Sequence, residues 1–206
     1  MAFLKDECIR IRLSAEVVDH CSEFSCGNGD LDDFFRNDFD DYAKQLMGKT
    51  YGYVSPDGRE LVCAFTVSNA SIFTNHLPNS RRKKIGAAVP FVKRDLIYPA
   101  VLIGRLGVNE KFKHRHIGSQ LMDSIKDWFI EDDNKTGCRY LVVDAYNDPV
   151  PCAYYERNGF SFMFSSEEQE QSYRNIDSSE TLHTRLMYFD LMNIVASPKT
   201  VQKGVV

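Results

Sequence analysis

The sequence has no long apolar run. No stretch approaches the roughly 18 consecutive apolar residues that a transmembrane helix requires. Residues 1–13 carry charges throughout, and their apolar runs are too short for a secretory signal. We therefore expect a cytoplasmic protein that does not contact a membrane.

The sequence also lacks C-x-x-C pairs and clustered histidines. Its six cysteines are scattered at positions 8, 21, 26, 63, 138 and 152. This spacing matches neither a zinc site nor a disulfide scaffold. We expect free thiols in a reducing compartment, and no metal.

An excess of positive charge is missing as well. The net charge of −4 argues against a general nucleic-acid coat, because phosphate binding depends on cation density. Charge is nevertheless uneven: residues 19–41 are acidic, residues 81–94 are basic, and a second basic cluster spans 111–116. Each run also fits a solvated loop.

The chain does contain enough hydrophobic residues to form a hydrophobic core, since 43% of its 206 residues are hydrophobic. No repeat, linker or low-complexity segment divides it. We predict one α/β domain of mixed α+β type over residues 1–192 and a loose tail over 193–206.

Periodicity and turn signals place the elements. A helix is predicted over residues 31–47 with Asp30 as its N-cap, and a polar loop is predicted over 165–181. The other predicted elements are a strand at 8–13, a hairpin at 50–54 and 61–67, a long connection at 74–94, a buried strand at 100–108, a helix from 117, a strand at 140–146, a short helix ending at 156 and a last strand at 183–191.

The most informative segment is the turn between the buried strand and the helix from residue 117. A helix N-terminus presents free backbone N–H groups and partial positive charge, so it binds anions. Here it follows the basic run Lys113–His116, and Gly118 lets a ligand approach the backbone. Both features suit a pyrophosphate.

The runs Leu106–Val108 and Lys113–Gly118, an apolar helix, and then Val142–Asn147 and Tyr154–Phe160 together resemble the GNAT acetyltransferase superfamily. The resemblance covers residues 100–164. It implies a mixed, mostly antiparallel sheet of six to seven strands, flanked by helices and splayed where acetyl-CoA binds as cosubstrate.

The resemblance also implies the roles of individual residues. Leu106 and Val108 would contact the pantetheine arm, and Asn147 or Asp148 would contact the same arm beyond the next strand. The pyrophosphate turn would comprise Lys113, His114, Arg115, His116, Ile117, Gly118 and Ser119. In this turn His116 replaces a glycine of the family pattern.

By the same resemblance Tyr155 is the catalytic general acid that protonates the departing CoA thiolate. A phenol with a pKa near 10 can protonate a thiolate whose pKa is about 8.5. Asp144 is the best-placed candidate base, with Arg105 next to it across the sheet. A base is not required if the acceptor is an α-amino group with a pKa of about 7.7.

The segments Phe24–Phe35 and Lys49–Val54, together with Gly104–Leu106, are similar to GNAT toxins that acetylate aminoacyl-tRNA. The basic residues 81–94 could then face RNA phosphates. The acidic residues 30–41 would repel RNA unless they face away from it.

Three functions stay open. The first is an N-acetyltransferase acting on a small amine, a peptide amine or charged tRNA. The second is a toxin paired with an antitoxin protein. The third is a degenerate acyl-CoA-binding module. A homodimer is the expected assembly.

Overall fold

The computed structural model describes residues 2–86, 97–134 and 136–196. These residues form a seven-stranded sheet in the order β1-β2-β3-β4-β5-β7-β6. The strands are β1 (Ile9–Arg12), β2 (Lys49–Val54), β3 (Leu61–Phe73), β4 (Ile97–Val108), β5 (Tyr140–Tyr146), β6 (Ser161–Phe162) and β7 (Thr184–Asp190). Strands β4 and β5 pair in parallel and the other neighbours are antiparallel. The predicted mixed, mostly antiparallel sheet is confirmed.

Helices flank the sheet on both faces. They are α1 (Phe3–Asp6), α2 (Ala15–His20), α3 (Gly29–Asp33), α4 (Phe39–Lys44), α5 (Asn79–Gly86), α6 (Ile117–Phe129), α7 (Pro149–Arg157), α8 (Glu167–Arg174) and α9 (Met192–Val195). A π-helical turn at Phe34–Asp38 joins α3 to α4, and 3₁₀ turns lie at Thr74–His76 and Glu110–Phe112.

The first long helical segment differs from its prediction at the N-terminus. It begins at Gly29, and the side chain of Asn28 caps it by accepting a hydrogen bond of 3.1 Å from the Leu31 amide. The prediction of Asp30 as N-cap is therefore wrong. Both residue types can cap, and only the backbone geometry shows which one leaves the helical conformation.

The sheet separates two apolar layers because successive side chains on a strand point to opposite faces. One layer packs α1, α6 and α7 against the sheet through residues such as Leu121 and Val143. The other face carries α5 through Ile85 and the helical segment 29–44 through Phe34. We call these the α6 face and the α5 face.

Part of the predicted polar loop at 165–181 is the helix α8. Ser166 caps it by accepting from the Gln169 amide at 3.4 Å, and the acidic first turn and Arg174 in the last turn complement the helix dipole. The prediction of a loop there is wrong for residues 167–174. The charge pattern that suggested a loop is also that of a capped helix.

Two further predictions fall partly outside the described residues. Of the basic stretch 81–94, residues 81–86 belong to α5 and 87–94 are not described. Helix α9 crosses the predicted boundary between 192 and 193, and residues 197–206 are not described. The division into a domain and a tail stays a prediction.

No helix among the described residues is long and apolar enough to cross a membrane. All six cysteines are free thiols.

Candidate active site

The neighbouring strands β4 and β5 are paired over only part of their length. Strand β4 pairs with β5 only from Ala100 to Ile103, opposite Tyr140 to Val143. Beyond that point β4 continues to Val108 and β5 to Tyr146 without a ladder between them. The predicted splay is confirmed, and it leaves backbone groups on the inner edges of both strands without a strand partner.

A bulge at Gly104 begins the separated part of β4. On β3, Thr66 lies opposite Arg105 and the next residue, Val67, lies opposite Ile103, so Gly104 has no partner residue. A bulge of this kind bends the strand that contains it. Gly104 is exposed, and a Cβ built on it would lie 3.0 Å from the Thr66 hydroxyl. A larger residue there would crowd Thr66 on β3.

Leu106 and Val108, the predicted pantetheine contacts, both lie on the separated part of β4. Their side chains are partly buried and pack against the core of the α6 face. Asn109 then ends the strand: its side-chain amide donates to the Leu61 carbonyl at 3.0 Å and its backbone N–H donates to the Val62 carbonyl at 2.9 Å. The strand therefore delivers the chain directly into the turn before α6.

This turn carries a series of free backbone donors. Among the described residues, no amide of residues 114–119 donates a well-formed hydrogen bond. His114 and His116 adopt left-handed conformations, with φ of 63° and 57°. Left-handed residues within a turn direct successive N–H groups into a concave nest that suits an anion. Together with the start of the 13-residue helix α6, the turn offers free amides where a pyrophosphate is predicted to bind.

His116 is the residue that precedes α6, and its side chain makes no capping hydrogen bond. The positive φ explains why the family pattern has glycine here, since a side chain raises the energy of this conformation. His116 is exposed, and its backbone and those of its neighbours leave the amides of the turn without a hydrogen bond to a described residue. The nest therefore survives the replacement, at an energetic cost to the backbone.

Some side chains of the turn contact other residues, and others are exposed to solvent. Lys113 pairs with Glu110 at 2.9 Å, and the Arg115 guanidinium lies 5.7 Å from the centre of the Phe112 ring. Ile117 is buried, so only its amide can reach a ligand. The side chains of His114, His116 and Ser119 are exposed.

Glycine at position 118 was predicted to let a ligand approach the backbone. The structure gives another reason for it, a close contact with Tyr154. A Cβ at this position would lie 2.9 Å from the ring of Tyr154, whose hydroxyl donates to the Gly118 carbonyl at 2.7 Å. The absence of a side chain thus allows α7 to pack against the first turn of α6. This contact fixes α7, and with it Tyr155, relative to the nest.

Tyr155 lies on α7 with its ring wedged between two aromatic rings, 5.0 Å from that of Tyr154 and 5.5 Å from that of Phe160. Its hydroxyl makes no hydrogen bond to any described residue. Burial raises the pKa of the phenol well above its usual value of about 10, so the group stays protonated at neutral pH. Tyr155 therefore holds a proton that it shares with no group among the described residues.

The chain matches a known family at this point. Residues 85–160 match the family model described as Acetyltransferase (GNAT) family. The match includes β4, the amide nest, β5 and α7. Over these residues the chain is similar to GNAT acetyltransferases.

Solved structures resemble this chain over most of its length. A structure described as a bacterial toxin shares 17% identity, with 92% of this chain and 93% of the other covered and a TM-score of 0.67. A tyrosine-to-phenylalanine mutant of KacT shares 17% identity, with 93% and 99% covered and a TM-score of 0.62. AtaT complexed with acetyl-methionyl-tRNAfMet shares 15% identity, with 92% and 98% covered and a TM-score of 0.62. At such identities the likeness is one of fold.

No curated protein sequence matches the chain.

The remaining predicted site residues have varied surroundings. The Asn147 side chain donates to the Leu182 carbonyl at 2.9 Å, so it holds the chain before β7. Asp148 is exposed at the N-cap of α7 and makes no capping hydrogen bond. Of the two, only Asp148 has a free side chain to offer a ligand.

Asp144, the candidate base, is bound to an arginine that the sequence analysis did not single out. Its carboxylate lies 2.7 Å from the Arg174 guanidinium on α8. Arg105 instead places its guanidinium 3.9 Å from the centre of the Phe34 ring. The predicted pairing of Arg105 with Asp144 is therefore wrong. The arginine was missed because α8 was taken for a loop, and no local signal connects residues 30 positions apart.

Proposed function

We propose that this chain binds acetyl-CoA and transfers the acetyl group to a primary amine. The observation that supports this most directly is the continuous path from the separated strands into the amide nest at 114–119. When bound, acetyl-CoA supplies the activated thioester.

Different parts of the chain would bind different parts of acetyl-CoA. Backbone groups on the separated edge of β4, beside Leu106 and Val108, would hold the pantetheine arm. The amides of 114–119 would bind the pyrophosphate, and Asp148, which follows the end of β5, would contact the pantetheine arm. Backbone donors near the bulge would stabilise the developing oxyanion.

Tyr155 would act as the general acid. Its hydroxyl is protonated, it has no hydrogen-bond partner among the described residues, and it lies on a helix that Tyr154 fixes against α6. A fixed proton donor of this kind accelerates a reaction about 10²–10⁴-fold. Since Asp144 is bound to Arg174, we propose that the acceptor amine arrives neutral and attacks directly.

The first test combines binding and rate. Calorimetry should show that the purified protein binds acetyl-CoA, and Tyr155→Phe should slow acetyl transfer at least about tenfold while binding stays intact. The matched control is Tyr173→Phe, which removes an exposed hydroxyl elsewhere and should change neither quantity. An unchanged rate for Tyr155→Phe would remove Tyr155 from the mechanism, and absence of binding would favour a degenerate module.

Aminoacyl-tRNA is the acceptor class that the surface favours. Helix α5 exposes Arg82, Lys83 and Lys84, and within the described residues none of them forms an ion pair. Unpaired cations on one helix are a phosphate-binding feature. One structural neighbour, AtaT, is named in complex with acetyl-methionyl-tRNAfMet, and others in complex with an antitoxin. We infer a similar acceptor, with an antitoxin protein as partner.

An acceptor panel tests this. Labelled acetyl-CoA is offered with a small amine, a peptide amine and charged tRNA, and label is expected in the aminoacyl-tRNA. Expression of the active chain should also arrest growth, and expression of Tyr155→Phe should not. Acetylation of the small amine or the peptide alone would assign the enzyme to that acceptor class instead.

A further inference from the structure

A cleft on the α5 face takes no part in the transfer site. Its volume is about 900 Å³, within the range of roughly 300–1,000 Å³ that small-molecule sites usually have. One wall is the segment that links β3 to α5, including Asn75 and His76. The other wall is α8, with Gln169, Ser172 and Tyr173.

The cleft contains an aromatic platform. Tyr173 is 39% exposed, and its ring packs against the buried ring of Phe164 with 4.8 Å between ring centres and 40° between the ring planes. The buried partner fixes one side of Tyr173 and leaves the other side available. A fixed ring of this kind is a stacking surface for another flat ring.

Polar side chains surround the platform. Asn75, His76 and Ser172 are exposed, and their side chains make no hydrogen bond to a described residue. Glu168 lies on the α8 wall of the same cleft. Amides, hydroxyls and carboxylates are the groups that recognise the edges of nucleobases.

Cations lie at one end of the cleft. Pro78 lines it, and the Pro78 carbonyl accepts hydrogen bonds of 2.9 Å from the amides of Arg81 and Arg82 in the first turn of α5. The unpaired cations of α5 therefore begin where the cleft ends. Its other wall, α8, carries acidic residues in its first turn. A polyanion would accordingly approach along α5.

The cleft also lies close to the transfer site. Tyr173 is followed by Arg174, whose guanidinium reaches Asp144 at 2.7 Å on the separated part of β5. One arginine side chain thus spans the distance from α8 to the gap between the strands. A ligand seated in the cleft would place a neighbouring group near the acetyl donor.

We propose that this cleft binds an unpaired nucleobase from the single-stranded end of the acceptor RNA. The base stacks on Tyr173, the polar rim contacts its edge, and α5 contacts the adjoining phosphates. This proposal rests on the proposed acceptor class. It adds the site that orients the strand's end toward the separated strands.

The test measures the affinity of the full chain for a fluorescent, short single-stranded RNA by anisotropy. Tyr173→Ala should raise the Kd about tenfold, because stacking on an aromatic side chain typically contributes that much or more per base. Tyr173→Phe keeps the ring and should bind like the wild type. A blunt-ended RNA duplex offers no unstacked base, so its binding should not change in Tyr173→Ala.

The same variants are assayed for acetyl-CoA binding and for transfer to a small amine, which should not change. The proposal is overturned if Tyr173→Ala leaves single-strand binding unaltered, if duplex binding falls equally, or if the wild type binds no single-stranded RNA. The proposed acetyl transfer fails separately, through the loss of acetyl-CoA binding in the wild type.

Discussion

His116 occupies a left-handed backbone conformation that is unfavourable for any residue with a side chain. Substitution can separate the energetic cost of this conformation from the contribution of the imidazole itself. His116→Gly should raise the free energy of unfolding by about 1 kcal/mol, since the left-handed region costs a non-glycine residue about that much. His116→Ala keeps the unfavourable conformation and removes only the imidazole. Urea denaturation of the three proteins measures the difference.

The same pair shows what the imidazole contributes to coenzyme binding. If only the amide nest binds pyrophosphate, His116→Gly and His116→Ala should bind acetyl-CoA as tightly as the wild type in calorimetry. A parallel loss of affinity in both variants would show that the imidazole contacts the ligand. This comparison shows whether histidine at position 116 contributes to coenzyme binding or is only compatible with it.

At the scale of single residues, sequence reasoning located the nest and the tyrosine but misjudged several neighbours. Position 118 could be recognised as a glycine that matters, yet the ring it accommodates comes from another helix. Asp144 could be recognised at a strand end, whereas its partner Arg174 lies 30 residues away on an element that was not predicted. Pairings between distant residues depend on the folded arrangement, which local patterns do not encode.

Among the elements, α8 owes its position to a buried carboxylate. Glu170 is 0% exposed and accepts hydrogen bonds from Arg185 at 2.8 Å, from Arg174 at 2.6 Å and from the Leu186 amide at 2.7 Å. A charge in this environment is stable only when it is fully paired. The carboxylate therefore joins α8 to β7.

Removing this carboxylate should be costly. Glu170→Ala leaves two arginines without their buried partner and should lower the free energy of unfolding by about 3–5 kcal/mol. Glu168→Ala, on the exposed side of the same helix, should change it by less than about 0.5 kcal/mol. Chemical denaturation measures both. If Glu170→Ala and Glu168→Ala had equal free energies of unfolding, apolar contacts and not the Glu170 carboxylate would hold α8 in place.

The other elements were predicted well because each has a strong local signal. Turn residues bracket the β2–β3 hairpin, and an apolar stripe marks α6. The predicted loop at 165–181 failed because α8 buries charged and polar residues where a helix normally buries apolar ones, so the periodic signal was absent.

For the molecule as a whole, buried tyrosines predict sensitivity to alkali. Burial is the main cause that raises the pKa of Tyr140 to about 12, and it also raises the pKa values of Tyr154 and Tyr155. In the unfolded chain these phenols ionise near pH 10. Above that pH the unfolded state binds fewer protons than the folded state, so stability falls as pH rises.

The expected result is a free energy of unfolding that declines as the pH rises from about 9 to about 12. The decline begins below the phenol range because burial also raises the pKa values of the Cys8, Cys26 and Cys138 thiols, which ionise near pH 8.5 in the unfolded chain. Tyr140→Phe should make the decline shallower, although it loses the hydrogen bond to the Ile85 carbonyl. Urea titrations at a series of pH values measure the slopes.

The contact between Gly118 and Tyr154 also constrains how this chain can vary among relatives. The ring occupies the space that a side chain at 118 would need, so neither position can change freely while the other is kept. Relatives with alanine or serine at 118 should have a smaller residue at 154, and relatives with glycine should keep an aromatic one. The two positions should therefore covary.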